Sequence, residues 1–349
     1  MDRLRENGIQ VEVCAVRPSK YLPPPGWLPD VRVCRLAYLV AGMLAIVAQR
    51  LWHILTVVPR VDVVLLQKDL LFRTRVKLLE RLLFLVARRR RVRVIFDLDD
   101  AVYLGTSQRQ LAHMGRKIAF IARSSCVVLA GSWAIAENLA PHARQLHIYP
   151  TCIEPGEAPR RLYHQPGSRL RLVWAGTPTN ALHLAQVNPA LRELRDVIDL
   201  EVELVTRLRE LPNNVLDGAQ VRLTEWSEDA ERLALARADA ALAPLDDSAW
   251  ARAKCGGKIL GYFAAALPVI ASPVGTQAVM VRHGNTGLQA TTPEEWRDCL
   301  LALHRDDALR ARLGQAGRRY VEDVLSAERR FNEFRDHLMG RVRRVEPHT

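Results

Sequence analysis

The sequence predicts an α/β chain of two parallel-sheet domains, on three observations. Its 349 residues are enough for two cores rather than one. In both halves, apolar runs of strand length alternate with helix-length stretches, the pattern of parallel strands covered by helices on both faces. One stretch rich in proline, glycine and polar residues, "CIEPGEAPRRLYHQPGS" (152–168), separates the two series and reads as a linker. Two Rossmann-like domains facing across a cleft follow, with a ligand expected at the carboxyl ends of the strands. The expected boundaries are 1–160, 161–325, and a C-terminal helix and tail over 326–349.

Each element has its own signal. "MDRLRENG" reads as the last turns of a helix, with Leu4 as its apolar anchor and Gly8 as its stop. "IQVEVCAV" (9–16) alternates like a strand. Residues 36–58, "LAYLVAGMLAIVAQRLWHILTVV", predict a long helix that is mostly buried or interfacial. Its unbroken apolar run ends at Ala48, short of the ~20 residues a membrane span needs. Strands follow at "VDVVLLQ", "VRVIFDL", "CVVLA" and "LHIY", with a helix within "FRTRVKLLERLLFLVARR". The second series has strands at "LRLVWAG", "LEVELVT", "VRLTEW", "ADAALAPL" and "PVIAS", and helices near 181–197, 228–237, 256–266 and 276–282. A Rossmann-like half ordinarily opens with a buried strand, a small-residue loop and a helix. The first domain is therefore expected to lack its first strand, "IQVEVCAV" being the second.

Composition limits the function. Residues 1–165 hold 25 lysines and arginines against 13 acids, whereas 166–349 hold 25 against 25, so the whole net charge of +12 sits in the first half. An arginine-rich coding bias, an anionic membrane surface and a polyanionic acceptor each account for that excess. Nucleic acid is not expected, because no basic–aromatic motif accompanies the charge. Six cysteines without CxxC or metal-like spacing read as reduced thiols, and the polar start carries no signal peptide. The expected location is cytoplasmic, peripheral on the inner face of the membrane if the basic half binds lipid.

The chemistry concentrates in "KCGGKILGYFAAALPVIASPVG" (254–275). Lys254 and Lys258 stand around two glycines at a helix start, where the helix already carries partial positive charge. An anion brought to the exposed N–H groups relieves that arrangement. Alternatively, a lysine pairs with Asp246 or Asp247. Two other loops follow strands: Gly176, Thr177 and Asn180 in one, Gly275 and Thr276 in the other. In "FDLDD", Asp97, Asp99 and Asp100 close a strand. A divalent metal, an acceptor or interdomain contact, and a plain turn are the three readings of these acids.

With those motifs in place, the second half resembles the donor half of retaining GT-B glycosyltransferases of the family 4 type. The likeness runs from "DAALAPLDDSAWARAKCGGKILGYFAAALPVIASPVGTQAVMVRHGNTGL" through "TTPEEWRDCLLALHRDDALRARLGQAGRRYVEDVLS". "VWAGTPTNALHL", "VIFDLDDAVY" and "YPTCIEP" extend it more loosely into the remainder. The resemblance implies sugar transfer from a nucleotide-diphosphate donor, held mainly by the second domain, to a glycan or lipid-linked acceptor, held mainly by the first. Cell-surface polysaccharide synthesis is the setting it suggests. It implies no metal and no further cofactor, and places Gly176, Thr177, Asn180, Lys254, Lys258, Gly275 and Thr276 around the donor. Asp97, Asp99 and Asp100 fall in the acceptor domain. Many relatives carry glutamates where this chain has Ala253, Gly261 and Val279. No side chain is assigned as catalytic base. A catalytically silent GT-B-like subunit at the membrane surface is the alternative function.

Overall fold

The protein is described by a computed structural model covering residues 2–15, 32–71, 74, 76–104, 108–156, 169–207 and 216–341. It forms two compact units. The first comprises residues 1–130, 136–147 and 333 onward; the second comprises 131–135 and 148–332. Most of the linker stretch, 157–168, lies outside the described residues.

The first unit opens with α1 (Asp2–Glu6), which buries Leu4 and stops at Gly8 in the left-handed region, φ 75°. Of the strand expected over 9–16, residues 9–15 are described; they pair with no other strand among the described residues, and Val13 is exposed. Alternation supplies a strand-like face, but a strand exists only where a neighbouring backbone takes its hydrogen bonds. Helix α2 (Arg32–Trp52) continues into a π-turn and a 3-10 turn ending at Arg60. Far from being mostly buried, α2 leaves Leu36, Leu39 and Leu44 more than 60% exposed.

From there strand and helix alternate: β1 (Val63–Gln67), α3 (Leu78–Arg90), β2 (Arg93–Leu98), α4 (Gln108–Ser124), β3 (Val127–Ala130), α5 (Trp133–Leu139) and β4 (Leu146–Ile148). The four strands lie side by side in chain order, β1-β2-β3-β4. The central strands β2 and β3 are apolar because both faces are covered, and Ile95, Phe96, Val128 and Leu129 are completely buried. Helix α3 ends in the run of arginines, where cations suit the helix dipole; Arg91 then takes the left-handed conformation and Val92 N–H donates to Ala87 O. In the following layer, Lys117 is fully buried between Asp69 (2.8 Å) and Glu80 (3.0 Å), and also donates to Leu71 O (3.0 Å). That network pins the loop leaving β1.

The second unit contains β5 (Leu170–Ala175), α6 (Pro178–Ala181), α7 (Asn188–Leu194), β6 (Leu200–Thr206), β7 (Gln220–Glu225), α8 (Glu228–Arg237), β8 (Ala240–Ala243), α9 (Ala249–Arg252), α10 (Gly257–Ala264), β9 (Val269–Ala271), α11 (Thr276–Met280), β10 (Leu288–Gln289), α12 (Pro293–Arg305) and α13 (Asp307–Tyr320). Its parallel sheet has the order β10-β9-β8-β5-β6-β7. Counted from its own first strand this is 3-2-1-4-5-6 reversed, the doubly wound order, with its switch point between β5 and β8. The single helix expected over 181–197 is broken into α6, a 3-10 turn and α7, because Pro189 starts a new helix rather than continuing one.

Strand alternation divides the core. Leu172, Trp174 and Leu242 point to the layer that holds Trp296, and Val173, Ala241 and Val269 to the layer that holds Tyr262 and Phe263. Helix α12 starts in a capping box of Thr292 and Glu295. The last helix, α14 (Ala327–Met339), begins in the second unit and ends in the first, where Leu338 O accepts from Arg93 Nη1 at 2.8 Å.

Candidate functional site

Three loops gather at the carboxyl ends of β5, β8 and β9 in the second unit. The first is locked at its root: Ala175 N–H donates to the buried Tyr262 hydroxyl (2.9 Å), and Gly176 N–H donates to Val205 O (3.1 Å). Gly176 has no room for a side chain. A Cβ there would stand 2.9 Å from the Trp174 ring and 3.1 Å from Lys258 Nζ. Beyond it, Asn180 Nδ2 donates to Thr177 Oγ1 (2.9 Å), and the Thr177 and Thr179 hydroxyls are 3.2 Å apart.

Both lysines come to this loop. Lys254 Nζ donates to Asn180 Oδ1 at 2.8 Å and sits 3.8 Å from the centre of the Trp250 ring. Lys258 Nζ lies 4.1 Å from the centre of the Trp174 ring. Two cations held against aromatic faces are attracted to the rings, by roughly 0.5–2 kcal/mol each, but repel one another. Lys258 retains some exposed surface as a residue, yet its ammonium is packed around by protein. Burial first, and then Lys254, pull its pKa down to about 7 against the opposing pull of Glu231. It has no carboxylate within 4 Å among the described residues. An anion would relieve both causes.

The alternative pairing of a lysine with Asp246 or Asp247 is not what forms. Asp247 is gripped by both arms of Arg252, each at 2.6 Å, which lowers its pKa, and Asp246 lies 3.4 Å from His183 Nδ1. His183 belongs to this cluster although no sequence pattern marks it. Burial lowers its pKa; Asp246 opposes that, and Lys254 and Lys258 add to it. The available signal was positional: His183 follows Asn180 by one helical turn.

The β9 loop completes the group. Gly275 has φ 53°, and a Cβ there would fall on the backbone of Arg252, so only glycine lets the two segments approach. Gly256 also has positive φ, 73°, and a Cβ there would meet Thr276 Cγ2 at 3.3 Å and Met280 Sδ at 2.7 Å. Ser272 Oγ accepts from Leu245 N–H at 3.0 Å, tying the β8 and β9 loops together. Thus Gly176, Thr177, Asn180, Lys254 and Lys258 form one contact group, and Gly275 and Thr276 adjoin it through Arg252 and Gly256. At the three positions where the resemblance leads one to expect an acid, Ala253 is buried, Val279 is half-exposed, and Gly261 has open space where a Cβ would stand.

Asp97, Asp99 and Asp100 lie in the first unit, at the end of β2. Lys68 organises them from the end of β1, in a left-handed backbone of φ 61°. Its Nζ is 3.1 Å from Asp99 and 2.9 Å from Asp100, and its N–H donates to Asp97 O at 3.0 Å. Gln67 Nε2 donates to Asp97 Oδ2 at 3.4 Å. Burial, with Asp99 second, raises the Asp97 pKa to about 6, opposed by Gln67 and Lys68. Among the described residues no group of three or more histidines, cysteines and acids is placed to hold a metal ion. Lys68, which sequence reasoning passed over, occupies the centre of the cluster instead.

A cationic site walled by glycine loops lies at the switch point of a doubly wound sheet, where such sheets place their ligands. Residues 169–306 match the family model of the glycosyl transferases group 1. No curated protein matches the chain in sequence. Among solved structures, sucrose-phosphate synthase from Thermosynechococcus elongatus is similar with a TM-score of 0.62 at 13% identity, over 88% of this chain and 80% of that one. Anabaena HepE in complex with UDP and glucose gives a TM-score of 0.60 at 15% identity, over 97% and 88%. A glycosyltransferase from Rickettsia africae gives 0.58 at 15%, over 98% and 88%. The chain has the GT-B fold, and residues 169–306 of its second unit are the part similar to the group 1 family.

Proposed function

We propose that the protein transfers a sugar from a nucleotide-diphosphate sugar, bound by the second unit, to a glycan or lipid-linked acceptor. The observation that carries this reading is the enclosed ammonium of Lys258. It is held on Trp174, beside Lys254, at the mouth of a loop with no space for a side chain at Gly176. A diphosphate matches that site in charge. Leaving-group charge grows as the anomeric C–O bond breaks, so cations already in position favour the transition state over the ground state. Lys258 and Lys254 supply that charge, and Thr177 and the loop N–H groups supply neutral donors. The match to the group 1 family and the complex of the Anabaena protein with UDP and glucose support a nucleotide-sugar donor. Hexosyl transfer with retention, and a role in surface polysaccharide synthesis, complete the proposal. For the acceptor, Asp97 is the candidate contact, with Lys68, Asp99 and Asp100 holding its turn.

A second reading, a binding subunit without turnover, is favoured by one observation: Ala253, Gly261 and Val279 supply no carboxylate at the positions where the resemblance leads one to expect acids. One experiment separates the two. UDP and a panel of UDP- and GDP-sugars are tested for thermal stabilisation, and each stabilising sugar nucleotide is then followed for release of free nucleotide. Stabilisation with release supports transfer, and stabilisation without release under any acceptor supports the silent subunit. No stabilisation by any nucleotide sinks both.

A further inference from the structure

Helix α2 is held at one end and bare over the rest. At its C-terminal turn, Arg50 donates to Leu70 O (3.3 Å) and Cys14 O (2.8 Å), and the following turns bury Ile54 and Val58. From Leu36 to Ala48 no residue is charged, and Leu36, Leu39, Val40, Met43 and Leu44 form a stripe at helical spacing that is 44–65% exposed. The adjoining side is also exposed but small, consisting of Ala37, Ala41, Ala45 and Ala48. Trp52 ends the rod with its indole 66% exposed. Contiguous apolar surface of this kind marks an interaction site.

The same unit carries a cationic face. Helix α3 packs against the turns that continue α2. It exposes Leu78, Arg81, Leu85 and Arg88 at spacings of three and four, a single helix face of alternating leucine and arginine. Helix α4 adds Arg116 and Arg123. The two helices meet through Phe84 and Phe120, whose rings pack edge to face at 5.9 Å, with Lys77 Nζ 5.8 Å from the Phe120 ring centre. After burial, the groups that lower the Lys77 pKa are all cations: Arg116, Arg81 and Arg123. Neither Arg81 nor Arg123 has a carboxylate within 4 Å among the described residues. The chain has collected these charges against their mutual repulsion.

We propose that this surface of the first unit docks on an anionic lipid bilayer, with the α2 rod lying in the headgroup–acyl boundary and the cations of α3 and α4 against lipid headgroups. Charge complementarity chooses the occupant. Within Leu36–Ala48 only Tyr38 can donate a hydrogen bond from its side chain, so nothing there would fix the register of a protein partner, whereas a lipid surface requires none. Exposed tryptophan at the end of such a rod suits the interfacial layer. By length and composition Leu36–Arg60 is long and apolar enough to cross a bilayer, but Arg50 is bonded to Leu70 O and Cys14 O, and Ile54 and Val58 are buried in the unit. That leaves the uncharged stretch, about 20 Å long at 1.5 Å per residue, to lie in the membrane rather than cross a hydrocarbon core of about 30 Å.

The inference is independent of the sugar-transfer reading, and its test keeps the two apart. The full chain is sedimented with vesicles of phosphatidylcholine alone and of phosphatidylcholine mixed equally with phosphatidylglycerol. Expected is about tenfold or stronger binding to the mixed vesicles, weakened by ~0.5 M salt. Leu39→Glu with Met43→Glu abolishes binding to both vesicle types. Arg81→Glu with Arg123→Glu removes the preference for anionic lipid. The far-ultraviolet circular dichroism and melting temperature of each variant, measured without nucleotide, stay as in the parent and show that both variants are folded. Equal binding to neutral and anionic vesicles, absence of binding, or binding unchanged by both pairs of substitutions overturns the proposal. So does a parent protein that is dimeric by light scattering and becomes monomeric with Leu39→Glu and Met43→Glu, since a second copy would then cover the rod.

Discussion

Replacing Lys258 with methionine removes the charge while keeping a side chain of similar length over Trp174, and it tests the proposed donor site at its most exacting point. A charge-assisted hydrogen bond from an enclosed ammonium to a phosphate oxygen is worth roughly 1.5–3 kcal/mol, so UDP affinity should fall about 10- to 150-fold. The proton makes the assignment specific. In the unliganded protein the Lys258 pKa is about 7, and a bound diphosphate raises it. Binding therefore takes up a proton wherever the free protein has lost one, about half a proton at pH 7 and about nine-tenths at pH 8. Affinity should be full below pH 7 and drop by about tenfold per unit above it.

The other charges facing this ammonium are Lys254 and His183, which disfavour its proton, and Glu231, which favours it. His183 is held below the ordinary histidine range and is neutral at pH 8, so a His183→Gln variant that keeps the alkaline uptake assigns the proton to Lys258. The assay is titration calorimetry with UDP at pH 6.5, 7.5 and 8.5, in two buffers of different ionisation enthalpy. Stability supplies an independent sign. The folded pKa is depressed from 10.5, so the unfolded chain binds the extra proton between about pH 7 and 10.5, and parent stability rises across that window. The methionine variant lacks that rise and melts above the parent at neutral pH. A folded variant that binds UDP as the parent does, with no alkaline proton uptake in either protein, would refute the reasoning.

The remaining expectations concern other parts of the chain. Gly176→Ala forces a Cβ between the Trp174 ring and Lys258 Nζ; it should cost about 1–3 kcal/mol in chemical unfolding and weaken UDP binding in calorimetry. Asp97 has a folded pKa of about 6 against 3.8 unfolded, so the native state holds the extra proton and stability falls as pH rises through that window. Asp97→Asn should flatten this fall and raise the melting temperature at pH 7, as differential scanning fluorimetry across pH 4–8 would show. Lys117→Met leaves Asp69 and Glu80 buried without their cation, and should lose about 3–5 kcal/mol in urea unfolding.

What could be read in advance followed from how local each determinant is. Trp174 flanked by Val173 and Ala175 is buried on either side of a central strand, and such continuous apolar runs announce themselves. The lysine–glycine stretch was legible because Gly256 and Gly275 hold positive φ, which glycine signals in a sequence. Strand β10, Leu288–Gln289, is too short to have a period. Residues 36–48 show the limit from the other direction: an apolar run states a preference for leaving water, but the partner that satisfies it is written elsewhere or not in the chain at all. Residues 9–15 alternate correctly and still make no strand, because pairing belongs to two segments. His183 and Lys68 acquire their roles from charges far along the chain, Lys254 and Lys258 for one and Asp99 and Asp100 for the other. No pattern around either residue contains that information.

The route of α14 has a consequence for synthesis. The first unit includes the chain from residue 333 onward, and Arg93, at the start of β2, donates to Leu338 O. A ribosome that has finished the whole second unit has not yet delivered the last piece of the first. The N-terminal half therefore waits, partly assembled, through the translation of residues 148–332, with β2 missing a contact that arrives only with Leu338. A frameshift or nonsense change near residue 330 would fall as a folding defect on the early part of the polypeptide, leaving the glycine loops of the second unit already made and the early strands unfinished.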